Sequence, residues 1–226
     1  MIGTFVNTGT IVAGSLIGGL FKKIMSERVN KTLFTAMGLA AFGLGINTVV
    51  QNMPNSRFPV LFIISLALGG AIGTLLDLDG RVSRLTRKRA DGGKLGQGIV
   101  TGSLLFCVGT LSILGPVQSA LYQDHTFLFT NAALDLVTSM VLASTYGIGM
   151  TVSAAILFCW QGGIYGMTLL VGNFITDTMM CELGIVGGFL IAMSGLGILE
   201  IKDCKTLNFL PALLIPLIWC LLYVHI

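Results

Sequence analysis

Apolar residues in this chain come in long runs, not in the alternation of a half-buried strand or the single stripe of a soluble helix. Runs near 4–21, 32–51, 58–76, 98–120, 127–146, 148–171, 183–200 and 207–224 are each long enough to cross roughly 30 Å of hydrocarbon. The pattern predicts an all-α fold, a polytopic transmembrane helix bundle with 7–8 membrane-spanning helices. Seven is the count if one terminal run does not cross: the first is polar near its start, and the last carries Pro211 and Pro216. The whole chain, 1–226, reads as a single transmembrane domain whose one sizeable polar stretch is a basic cytoplasmic loop at 78–97.

Composition agrees with that reading. Hydrophobic residues make up 54% and charged residues only 10%, far from the balance of a water-soluble globule. Glycine, 30 of 226 residues, is about twice as frequent as the usual ~7%. It recurs at four-residue spacing in Gly14/Gly18, Gly69/Gly73, Gly98/Gly102, Gly162/Gly166 and Gly184/Gly188. Small residues at that spacing let helix backbones approach closely in lipid, where no hydrophobic effect drives helices together. The same faces make a homo-oligomer an open expectation.

The net charge of +3 matters less than where the charge lies. With eight spans, every one of the 13 Lys and Arg residues except Arg57 falls on one side. Lys22, Lys23, Arg28 and Lys31 follow span one; Arg81, Arg84, Arg87, Lys88, Arg89 and Lys94 follow span three; Lys202 and Lys205 follow span seven. The opposite loops hold Asp124, Asp177 and Glu182. The positive-inside rule then puts both termini outside, in a bacterial cytoplasmic membrane. No basic residue precedes the first apolar run and no small-residue cleavage site follows it, so an uncleaved first helix is expected. The Arg-rich stretch reads as a topology determinant beside anionic lipid headgroups, with no nucleic acid as partner. GLAAFGLGINTVVQ, from Gly38, resembles GSLLFCVGTLSILGPVQ, from Gly102, and suggests a parallel internal repeat running to Gly80 and Gly147.

Catalytic and cofactor signatures are missing. Cys107, Cys159, Cys181, Cys204 and Cys220 show no paired spacing and His125 and His225 are far apart, so no metal, disulfide framework or cofactor is expected. No nucleotide-binding or hydrolase motif occurs, and one mid-membrane carboxylate does not make an acid/base constellation. The chain does not read as an enzyme.

That carboxylate is Asp135, near the middle of span five. A charge at the bilayer centre costs at least ~2.5 to 3.5 kcal/mol, so such groups face the bundle interior and commonly mark ion or proton pathways. Asn131, Asp135, Thr138, Ser139 and Leu142 share one helix face. A short turn at Thr145 to Gly149 makes span six antiparallel to span five. Counting from Gly147 at ~1.5 Å per residue, Asp135 and Gln161 lie about 18 Å and about 21 Å along their helices, at one depth. In span four, Gly109, Thr110, Ser112, Gly115, Pro116 and Gln118 weaken the helix, which either breaks inside the membrane or simply ends at Gly115. Asn7, Thr8, Thr10 and Ser15 read as interhelical glue in span one. Asn208 and Pro211 mark either another break or an ordinary helix start in span eight.

These residues carry a resemblance. Asn7 with Ile11, Gly14, Ser15, Ile17 and Gly18; Leu134, Asp135, Thr138 and Ser139; Gln161 and Gly162; Gly187 and Gly188; and NFLPA at Asn208 through Ala212 resemble the bacterial integral membrane family "domain of unknown function 554". The resemblance implies no established activity. Members of that family often have a Lys four residues before the span-five Asp, where this chain has Asn131. Without that cation, Asp135 must be protonated, paired elsewhere or bound to a cation.

The resulting expectation is a small secondary transporter or exporter of a small solute or monovalent cation, with H⁺ or Na⁺ as candidate coupling ions. Its substrate or ion-binding residues would be Asp135, Asn131, Thr138, Ser139, Gln161, Asn7, Gln118 and Asn208, and its partners the lipid bilayer and the solute or cation, with a homo-oligomer left open. The alternative is a non-transporting interaction or scaffold protein of the cell envelope, for example one linked to surface attachment or biofilm, in which the polar stripe only holds helices together.

Overall fold

The computed structural model describes residues 1–20, 27–88, 93–107, 109–172 and 176–224, and among these there is no strand. Among the described residues, each apolar run of the sequence is mostly helical. The elements are α1 (Ile2–Leu20), α2 (Glu27–Asn52), α3 (Leu61–Leu75), α4 (Leu78–Lys88), α5 (Gly93–Cys107), α6 (Thr110–Tyr122), α7 (Thr126–Tyr146), α8 (Val152–Val171), α9 (Asp177–Ile198) and α10 (Leu214–Val224). A 3-10 turn, Met53–Asn55, follows α2; another, Ile148–Thr151, precedes α8; and the 3-10 stretch Thr206–Leu213 leads into α10.

Five helical segments are long and apolar enough to cross a membrane: Ile2–Leu20, Glu27–Asn55, Thr126–Tyr146, Ile148–Leu170 and Asp177–Ile198. The α5–α6 pair, whose axis turns by 49°, makes up to six, and Leu61–Leu75 and Thr206–Leu222 are shorter apolar helices. Their faces are inverted relative to a soluble helix. In α3 the buried residues are Leu61, Ser65, Gly69, Gly70 and Gly73, while Ile63, Ile64, Leu68, Ile72 and Leu75 are exposed, Leu75 by 86%. α1 repeats this, burying Thr4, Asn7, Gly14 and Ser15 and exposing Ile2, Phe5 and Leu20. Large apolar side chains pointing outward over a small and polar interior suit hydrocarbon as the surrounding medium.

Contacts divide the chain into two compact units, one of Met1–Met37 with Val82–Gly172 and one of Gly38–Arg81 with Asn173–Ile226. In the first unit α1 packs along α7 in parallel. A Cβ at Gly3 would meet Leu128, one at Gly14 the Ser139 hydroxyl and the Leu136 carbonyl, and one at Gly18 the Met140 carbonyl. α6 abuts the same helix, with Gly115 against Leu128. α7 ends at Gly147, whose φ of +96° lets the chain turn directly into Ile148–Thr151 and α8. An apolar cluster of Ile11, Phe106, Cys107, Ala143, Met150, Ala154 and Leu157 closes this unit's core.

The second unit is built by antiparallel pairs. Gly38, Gly45 and Gly195 sit against the partner backbone or side chains between α2 and α9, and Gly69 and Gly73 sit against Ala212 and Asn208 between α3 and the Thr206–Leu213 stretch.

Two sequence expectations change in detail. The basic stretch 78–97, expected as a loop, is helical over Leu78–Lys88. The interruption in span four falls between Cys107 and Thr110, and α6 runs on through Gly115 and Pro116 to Tyr122. The helix therefore does not end at Gly115. Gln123, in left-handed conformation with φ of 55°, ends it instead.

Candidate functional site

Asp135 lies in mid-α7, 5% exposed, with Oδ2 accepting from Asn131 Nδ2 at 2.9 Å. That bond is the i,i+4 pairing of one helix face. The parallel register of α1 and α7, with Gly3 against Leu128 and Gly14 against Leu136, puts Asn7 about level with Asn131, one turn from Asp135. The Asn7 side chain interacts with the Asp135 carboxyl, yet it lies outside ordinary hydrogen-bond geometry, and both Nδ2 and Oδ1 are buried without a partner. One turn earlier on α1, Thr4 is also fully buried and its Oγ1 is likewise unpartnered. Leaving such atoms unsatisfied costs about 1–3 kcal/mol each. Asp135 makes no ion pair with any described residue.

Cys107, at the end of α5, is within electrostatic reach of Asp135, which brings the α5–α6 interruption to the same region. Thr110, the first residue of α6, is buried with its hydroxyl unpartnered. Leu128, two turns before Asp135 on α7, is fully buried against Gly3 and Gly115, and the apolar cluster that holds Ile11, Phe106 and Ala143 also includes Cys107.

Other sequence-selected residues take varied positions. Gln161 is fully buried on α8 and donates from Nε2 to Ser112 Oγ at 3.1 Å, leaving Oε1 unpartnered. It is not hydrogen-bonded to Asp135. Ser139 is buried and donates to the Leu136 carbonyl, and Thr138 is half-buried beside it. Gln118 on α6 has a buried, unpartnered Oε1. Asn208 belongs to the second unit, where its Oδ1 accepts from the Asp79 backbone N–H at 2.9 Å. The structure thus joins Asn131 and Asp135 directly, brings Asn7 near them and places Asn208 in the second unit.

One buried carboxylate went unread in the sequence. Glu182, assigned there to a loop, lies in α9 at 1% exposure, and its Oε1 accepts from Ser56 Oγ at 2.7 Å and Phe58 N–H at 3.0 Å. The available signal was Thr176, whose side chain caps the Met179 N–H and starts the helix well before residue 183.

A buried carboxyl beside the Asn131 and Asn7 amides can take up and release a proton or small cation. Among the described residues no group of three or more His, Cys, Asp and Glu could hold a metal ion. A family model described as "Protein of unknown function (DUF554)" matches residues 2–221. The chain is 50% identical over 216 residues to the uncharacterized membrane protein YdfK of Bacillus subtilis, covering 96% of this chain and 94% of that one. It is 29% identical over 229 residues to the uncharacterized protein YqgA of Escherichia coli, covering 96% and 95%. No solved structure matches it.

Proposed function

This chain belongs to the DUF554 family, with a relative named a membrane protein, and from that footing we propose that it is a small secondary transporter or exporter. It carries a small solute or cation across the bacterial cytoplasmic membrane, has no catalytic role, and uses Asp135 as the group that binds and releases the coupled proton or cation. The observation that carries this reading is a carboxylate buried without an ion-pair partner beside the unpartnered amide of Asn7. A purely structural hydrogen-bonded core would satisfy those atoms.

The finer topology belongs to the same proposal. The chain crosses eight times, counting α5–α6 as one bent span and including the two shorter apolar helices, with the basic stretch around α4 in the cytoplasm and both termini outside.

The test is flux in proteoliposomes under imposed pH and Na⁺ gradients, comparing wild type with Asp135→Asn at matched insertion. Gradient dissipation that the variant loses supports a carboxylate-coupled transporter. A wild type silent across a broad ion and solute panel overturns it and leaves the scaffold reading, in which Gln161–Ser112 is interhelical glue and Asn131–Asp135 a bond within α7.

A further inference from the structure

Glu182 is a second buried carboxyl, and the transport reading makes no use of it. It lies at 1% exposure in the second turn of α9, where that helix grips the connection between α2 and α3. Cys181 Sγ donates to the Asn52 carbonyl, at the end of α2, at 3.2 Å. Next to it, Glu182 Oε1 accepts from Ser56 Oγ at 2.7 Å and from the Phe58 N–H at 3.0 Å. Gly184 keeps this contact close, since a Cβ there would meet the Asn52 carboxamide. On its other flank Phe58 meets Trp219 of α10 edge to face, with ring centroids 6.2 Å apart. The neighbouring Arg57, Pro59 and Val60 are exposed.

We propose that Glu182 is a releasable latch, which pins the Ser56–Phe58 strap to α9 and, when it lets go, frees the start of α3. The strap is irregular between the 3-10 turn Met53–Asn55 and Leu61, so its backbone polar groups depend on such contacts in a medium poor in water. Releasability follows from two opposing terms. Hydrogen bonds to a carboxylate are roughly twice as strong as neutral ones, but taking the carboxylate out of water carries a penalty of similar size. An apolar side chain would pack there without that penalty. A carboxyl therefore gives a contact that is specific when made and close in free energy to its hydrated, open form. α3 is suited to move on release. It has fifteen residues, and Gly69, Gly70 and Gly73 face Ala212, Phe209 and Asn208, so α3 has no side chains of its own to interlock along that seam. Phe62 stacks on Phe189 of α9 only 16° from parallel, a contact that slides without breaking. The far end of α3 is held through Asn208, which accepts from the Asp79 N–H just beyond it. Strap, α3, α9 and α10 all belong to the second unit, so the latch is independent of coupling through Asp135.

Amide hydrogen exchange of the purified full chain in detergent, resolved to Phe58, reads the latch directly. Wild type should exchange the Phe58 N–H at least about a hundredfold faster than the amides of residues 186–190 in mid-α9, because the latch opens without unfolding the helix that carries it. Glu182→Gln keeps the size of the side chain without its charge and should speed Phe58 about tenfold further, and Glu182→Leu at least as much. Ser56→Ala removes one donor but leaves the backbone bond, so its effect should be smaller. Exchange over 186–190 should stay as in wild type in all three. Phe58 exchanging in step with mid-α9 in wild type would make the strap a fixed part of the fold and overturn the latch. Unchanged exchange at Phe58 in both Glu182 variants overturns it too, as does an equal rise at Phe58 and mid-α9. If Glu182→Leu fails to fold, Glu182→Gln and Ser56→Ala still decide between these outcomes.

Discussion

Single residues show how closely the first unit is fitted. A methyl group on Gly18 would run into the carbonyl of Met140 on α7, backbone against which no rotamer can yield, whereas Gly163 on α8 has no heavy atom within 4 Å of its would-be Cβ. Both lie inside helices, where alanine is intrinsically favoured by about 0.8–1.0 kcal/mol. Gly163→Ala should leave thermal unfolding in detergent unchanged or slightly raised. Gly18→Ala should lower it, by an overpacking cost of about 1–3 kcal/mol that outweighs the propensity gain. Equal midpoints for the two variants would show that the α1–α7 seam relaxes freely. At this scale the sequence is partly transparent. The Asn131–Asp135 pair follows from helical periodicity alone, since both residues belong to one element. Asn7 is legible as a polar residue in an apolar run, but its meeting with Asp135 depends on a parallel register between segments more than a hundred residues apart, which no local pattern encodes. Glu182 was hidden for a different reason: an acidic residue near a run's edge looks solvated until the helix start at Thr176 is recognised.

Elements are legible from apolar runs because hydrocarbon thickness and the 1.5 Å helical rise demand a minimum length of unbroken apolar chain. Where helices break is harder to read. Proline suggested an interruption at Pro116, yet the chain breaks near Gly109, and Pro116 is accommodated within α6. The start of α4 is a further case. Its Asp79 N–H is satisfied by Asn208 from a distant segment instead of by a local cap, and the chain enters this helix through Asp77 in left-handed conformation. Asn208→Leu removes that acceptor and should cost about 1 kcal/mol, as loss of a cap does. Hydrogen exchange should rise over 78–81 in that variant and stay near wild type in Asn208→Asp, which retains an acceptor. Unchanged protection in Asn208→Leu would mean that another group takes over the Asp79 N–H.

For the whole molecule, the two compact units were not legible. Two of their three boundaries, Met37/Gly38 within α2 and Arg81/Val82 within α4, fall inside helices, where no linker, proline-rich stretch or change of composition marks them. The number of crossings is instead a question of sidedness, which charge decides and labelling can read. In a chain whose own five cysteines are replaced, single cysteines at Asn55, Arg84, Asp124 and Lys202 divide the proposed topology. Eight crossings put 55 and 124 outside, reactive with an impermeant maleimide in intact cells, and put 84 and 202 inside, reactive only after permeabilisation. Each pair isolates one doubtful span: 55 against 84 tests whether the fifteen-residue α3 crosses, and 84 against 124 tests whether the bent α5–α6 pair crosses or re-enters. If 84 and 124 label from the same side, α5–α6 is a re-entrant hairpin. Asp135 would then lie beside a loop tip open to one aqueous phase, and the site could no longer serve alternating access through an occluded intermediate. Opposite labelling instead places the break at Cys107–Thr110 inside the bilayer, where an interrupted helix is tolerated only if it is buried in protein or lines a path for the ion.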